Sequence, residues 1–178
     1  MFKYVLLIGI LALSAITDYK EYKVKNKYLL LTVLIACIYH GTTTGLQGSI
    51  KTFFNVFIPI IILFPLFMLK MLPAGDIKLF GTIAAIMGTV FTINAFILTI
   101  FIAGIGAIIL MFVHNNFFER MTYLGRYIYS SLILKKILPY NNYSNINPSY
   151  HFPLSYFIFL GCIINIIVEY FGFYIFWA

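Results

Sequence analysis

Apolar residues run along this chain in long stretches, at about residues 2–17, 28–45, 53–70, 79–113 and 152–177, with polar residues gathered in the segments between them. Stretches of this length predict α-helices that cross a membrane. The fourth is too long for one perpendicular crossing, since it makes about 52 Å of helix against a hydrocarbon core of roughly 30 Å. A turn near Thr92, Ile93 and Asn94 is expected to divide it, because an Asn side chain can satisfy backbone groups locally. The pattern therefore predicts an all-α, polytopic membrane protein with about six transmembrane helices. It forms a single integral-membrane domain over 1–178, with an internal polar loop around 114–151 whose Asn-, Pro-, Ser- and Tyr-rich part is 139–151.

Composition moves the reading further from a soluble domain: 62% of the 178 residues are hydrophobic, 10% are charged, and the mean hydropathy is +0.98. The first stretch could pass for a cleaved leader, with small residues Ser14 and Ala15 near its end. Its basic residues argue for a retained helix, because Lys20, Lys23, Lys25 and Lys27 follow the apolar run and only Lys3 precedes it.

Taken with Lys70, Lys78, Arg120, Arg126, Lys135 and Lys136, those lysines predict an orientation. The N- and C-termini lie outside, and residues 18–27, 71–78 and 114–151 lie on the cytoplasmic side. The net charge of +7 is thus a topology signal that also draws the inner loops toward membrane lipids. No nucleic-acid partner is expected, for want of a soluble basic surface or a recognition motif.

Cys37 and Cys162 sit inside apolar spans without a CxxC pattern and read as packing residues. His40, His114 and His151 share no ligand spacing, so neither a metal nor another cofactor is expected. Glu169 is an intramembrane acid that needs a polar partner or an aqueous edge. Two other acids differ from it. Asp18 in ITDYKEYKVKN and Asp76 in PAGDIKL each stand where an apolar span reaches the interface, and the predicted orientation brings both to the same leaflet.

Two carboxylates sharing a site cannot both ionise freely, so one keeps a proton while the other acts as base. That arrangement suits aspartic peptide hydrolysis, in which one acid activates water and the other donates a hydrogen bond. Gly75 is expected to give freedom at the loop-to-helix junction, and Asp76 alone could serve as a helix cap. Lys78 can pair with a carboxylate or snorkel at the membrane edge.

The segment Asp18-Tyr19-Lys20-Glu21-Tyr22-Lys23-Val24-Lys25-Asn26 resembles the first motif of bacterial type IV prepilin peptidases: an aspartate, five mostly polar residues, then an aliphatic-proline-asparagine ending. Lys25 replaces the usual proline. Pro73-Ala74-Gly75-Asp76-Ile77-Lys78-Leu79 resembles the second, a glycine-rich turn ending in Gly-Asp, with Pro73 in place of its first glycine. The final PLSYFIFLG, residues 153–161, is similar to the proline-led opening of the family's last helix.

The resemblance is strongest to the small form found with tight-adherence pilus systems. It implies a catalytic pair, Asp18 and Asp76, with Asn26, Gly75 and Lys78 as supporting or substrate-binding residues. The implied enzyme sits in the bacterial cytoplasmic membrane and removes a short basic leader from type IV pilin or pseudopilin precursors on the cytoplasmic side, in company with the pilus assembly machinery. The chain lacks an extended soluble cysteine-bearing insertion and a nucleotide-binding glycine loop, so cleavage without N-methyl transfer is expected. The alternative is a noncatalytic membrane assembly or export subunit whose acids hold a partner.

Overall fold

The computed structural model describes residues 1–21, 25–113, 117–134 and 154–172. Within them the chain folds into α1 (Phe2–Glu21), α2 (Asn26–Thr44), α3 (Leu46–Met68), α4 (Ala74–Met87), α5 (Thr89–Val113), α6 (Phe117–Leu134) and α7 (Leu154–Tyr170). The described residues are all helical apart from their turns, as the hydrophobic pattern predicts. Among the described residues, three helices are long and apolar enough to cross a membrane, over Phe2–Lys20, Leu46–Met68 and Thr89–Val113, and α7 is a shorter apolar helix.

The surface reverses the usual distribution of a soluble protein. Leu30, Ile61 and Phe101 are each about two-thirds exposed, whereas Thr32, Thr82, Thr99 and Asn165 are buried. An apolar exterior over a core that holds polar groups matches a lipid solvent.

At the centre stands α4, with ten of its 14 residues buried. Leu79, Phe80, Ile83 and Ile86 meet Leu7 and Leu11 of α1 and Ile158 and Cys162 of α7 in one core. Contacts give the directions of the helices. Phe2 of α1 stacks near Tyr39 of α2 at 5.0 Å, so these two run antiparallel. His40 near the end of α2 hydrogen-bonds through Nε2 to the carbonyl of Ile86 at 3.2 Å, satisfying one of the open carbonyls at the end of α4.

Along α7, Phe157 lies against Gly106, Gly161 against Thr99 and Ala95, and Asn165 donates to the Phe91 carbonyl at 3.1 Å, so α7 runs antiparallel to α5. A Cβ on Gly161 would stand 3.0 Å from the Thr99 nitrogen and 3.2 Å from the Ala95 oxygen. Only glycine permits so close an approach between these backbones, the usual device where helices pack without a hydrophobic drive from water.

The long apolar stretch does divide, but at Gly88 and not near 92–94. Gly88 has φ 93°, a left-handed conformation that β-carbons disfavour, and its N–H closes α4 on the Ala84 carbonyl at 2.9 Å. Phe80 and Phe96, eight residues to either side of it, meet edge-to-face at 5.3 Å, so α4 and α5 form a hairpin. Thr92 and Asn94 are instead buried within α5.

A second departure lies in 114–151. Residues Phe117–Leu134 of this expected loop form the helix α6, in which the exposed Phe118 and Tyr129 accompany Arg126. The polar segment 139–151, His114, His151 and Pro153 lie outside the described residues.

Candidate active site

Asp18 lies on the last turn of α1, which continues past the predicted end at residue 17 as far as Glu21. Next to it, Thr17 returns its hydroxyl to the Leu13 and Ser14 carbonyls at 3.0 and 3.1 Å. Asp76 reaches the same place from a tighter turn. The end of α3 is closed by Lys70 N–H to Phe67 O and Met71 N–H to Leu66 O, both at 2.9 Å. This is the double bond of a Schellman cap, with Lys70 held at φ 55° where glycine is commoner. That backbone is unfavourable for lysine by roughly 1–2 kcal/mol, and it starts the reversal that returns the chain into α4.

Pro73 occupies the N-cap position of α4 with φ −70° and ψ 149°. Proline holds φ near −65° of its own accord, so the residue in place of the motif's glycine suits the backbone that this position adopts. The same reasoning settles the first motif. Lys25, the N-cap of α2, has φ −75°, close to what the usual proline would impose.

Gly75 lies within the first turn of α4 and is not among the positive-φ glycines, so the expected conformational freedom is not what this position uses. Nor is Asp76 the cap of α4. The N-cap is Pro73, three residues earlier, and no side chain caps the helix.

Asp18 is 7% exposed and Asp76 is 3% exposed. Their proximity follows from contacts on three helices. Tyr19, next to Asp18, meets Tyr156 edge-to-face at 6.3 Å, and Ser155, next to Tyr156, donates its hydroxyl to Oδ1 of Asp76 at 3.3 Å. Asp76 stands in the first turn of α4, ahead of the apolar run from Leu79, and its carboxyl is pushed up to about 7. Burial is the largest cause, the charge of Asp18 adds to it, and the Ser155 hydrogen bond opposes both.

Lys78 donates to the Asn26 side-chain oxygen at 3.3 Å. This bond joins the second motif to the end of the first, so two of the three supporting residues meet. Ser155 is the site residue that the sequence reading missed. Nothing in the PLSYFIFLG segment distinguishes a serine facing an acid from one that bonds its own helix.

Two surface cavities lie elsewhere, of about 430 Å³ beside Phe118 and Arg126 and about 230 Å³ beside Tyr4 and Glu169. Neither is lined by an aspartate. Among the described residues, no three His, Cys, Asp or Glu side chains gather as metal ligands do.

The fold is thus a helical bundle with an apolar exterior that buries two carboxylates brought together from separate helices, a perturbed acid pair of the kind that gathers at functional sites. The type IV leader peptidase family matches over residues 5–110, which include both aspartates, and the chain belongs to that family. It is therefore a membrane peptidase by family. No curated protein and no solved structure matches it.

Proposed function

We propose that the protein is an aspartic endopeptidase that removes the short basic leader of type IV pilin or pseudopilin precursors at the cytoplasmic membrane face, with Asp18 and Asp76 as its catalytic pair. The observation that carries this reading is the burial of two acids, from α1 and α4, within reach of each other's charge. Folding alone gives no reason to bury like charges together, whereas a shared proton is what this chemistry uses.

Asp76, whose proton affinity burial raises, hydrogen-bonds the scissile carbonyl oxygen. Asp18 takes a proton from water as the water oxygen bonds to the carbonyl carbon, and the Asp76 proton passes to the carbonyl oxygen. Collapse of the tetrahedral intermediate returns that proton to Asp76 and breaks the C–N bond. The departing nitrogen takes the proton that Asp18 had gained, so the pair ends as it began.

The Asn26–Lys78 bond ties the N-terminus of α2 to α4 two residues beyond Asp76. Cleavage without methyl transfer is part of the same reading.

The test is cleavage of a cognate pilin precursor in lipid, comparing the intact enzyme with Asp18→Asn and Asp76→Asn at equal folded abundance. Each variant loses at least about 100-fold in rate, the usual range for removing a general acid or base. Unchanged cleavage in either one rejects the paired mechanism.

A further inference from the structure

Hydroxyl groups in this bundle mostly return to their own helices. Thr32, Thr82, Thr92 and Thr99 are all buried, and each donates to the carbonyl four residues back, at 2.9, 3.0, 2.9 and 2.7 Å. Ser155 does not follow them. It is fully buried at 0% exposure, and from the first turn of α7 its hydroxyl crosses to Oδ1 of Asp76. A buried hydroxyl needs a partner, and here the partner is an acid on another helix.

We propose that Ser155 is a positioning residue for Asp76, holding Oδ1 by donation and thereby directing the acid's own proton to Oδ2. This rests on the reading of Asp18 and Asp76 as a catalytic pair. The chemistry is that of a carboxyl with two unlike oxygens. The oxygen that accepts from Ser155 is the poorer place for a proton, so the carboxyl presents its O–H from the other oxygen and in one direction. The same bond favours the ionised form, and it keeps Asp76 from holding its proton too firmly to exchange it.

The charged groups around Asp76 leave this role to Ser155. Asp18 of α1 acts in the opposite sense, raising the proton affinity. Lys78, two residues along α4, is exposed and bonded to Asn26 of α2. Lys70 beyond the end of α3 is exposed, and Lys25 precedes α2 at the same end of the bundle. No acidic or basic residue occurs in α5, Thr89–Val113. Glu169, the acid of α7, borders the cavity beside Tyr4 near the start of α1, one helix length from Asp18.

Ser155 also lies outside residues 5–110, the part of the chain that the family accounts for. The group that orients Asp76 thus comes from a segment that carries neither aspartate motif.

The experiment is infrared difference spectroscopy of the full-length protein in lipid, following the protonated carboxyl band of Asp76 against pH. Asp76→Asn identifies the band by removing it. In the intact protein the band is lost as pH rises through about 7. Ser155→Ala moves that midpoint upward by about one pH unit, because a hydrogen bond favouring the charged form has gone. Ser155→Cys keeps the side-chain shape with a slightly larger and weaker donor, and it moves the midpoint the same way by less.

Precursor cleavage is measured alongside. Since cleavage needs the protonated Asp76, the alkaline limb of its pH profile shifts upward with the band, and kcat falls about tenfold at unchanged KM. A midpoint that stays put or moves down in both variants overturns the proposal, whatever happens to folded abundance. A shifted band in a protein that cleaves no precursor upholds the role of Ser155 and counts against the proposed reaction instead.

Discussion

Polar side chains tie helices together at both ends of this bundle, with partners of different kinds. At the end that holds Gly88, His40 bonds the Ile86 carbonyl, Asn165 the Phe91 carbonyl and Ser49 the Cys37 carbonyl. These side chains meet backbone oxygens across a helix pair or hairpin, and Thr89 adds a bond to the Asn55 side-chain oxygen at 3.2 Å. At the aspartate end, the contacts run between side chains and include charged groups: Ser155 to Asp76 and Lys78 to Asn26. The first kind stabilises the fold by about 1 kcal/mol per bond. The second surrounds two acids whose burial together opposes folding, an arrangement that gathers at functional sites.

The largest effect that would break or sharpen this contrast is at Asp76. Asp76→Asn abolishes cleavage yet makes the protein more resistant to unfolding in alkaline buffer. The sign follows from the raised proton affinity. Asp76 titrates near 7 when folded and near 3.8 when unfolded, so the folded state binds the extra proton between these values. The stability that this proton contributes is full below the unfolded value and is lost as pH rises through the folded one. Thermal unfolding in detergent should therefore show the intact protein weakening between about pH 4 and pH 7, with a flatter profile for Asp76→Asn. A variant less stable than the intact protein at pH 8 would make Asp76 a structural group like Asn165.

A smaller effect is expected midway along the bundle. Gly161→Leu forces a side chain into the Thr99 and Ala95 backbone and lowers stability by about 1–3 kcal/mol. Smaller again, Asn165→Ala costs about 1 kcal/mol in the same unfolding assay and leaves the cleavage rate within roughly twofold of the intact enzyme. A large loss of cleavage at equal folded abundance in Asn165→Ala would erase the distinction between the two ends.

Much of this was readable in advance because lipid imposes a simple rule on sequence: spans must be apolar, so the few acids at their ends stand out. Asp18 and Asp76 were identifiable on that ground, and they lie together in the structure. The hairpin was placed wrongly because glycines occur at 81, 88, 104 and 106 of the same apolar run, and composition does not say which of them takes a positive φ. Asn94 looked like the turn because it is polar, but it lies buried within α5, its side-chain oxygen without a hydrogen-bond partner among the described residues. The junction before Asp76 was misjudged for a related reason. The reversal is carried by Lys70 at φ 55°, a residue whose identity gives no hint of that backbone, and Gly75 is ordinary helix. Ser155 stayed invisible because its partner lies 79 residues away in the chain.

Because α7 brings Ser155 to the pair from outside the family-matched stretch, the two acids and the hydroxyl bonded to one of them are separable parts. An exchange of α7 between related enzymes would carry a different neighbour to Asp76 while leaving both aspartate motifs untouched. On the proposed reading, the operating pH of such a peptidase is reset by a single helix, with both aspartates unchanged.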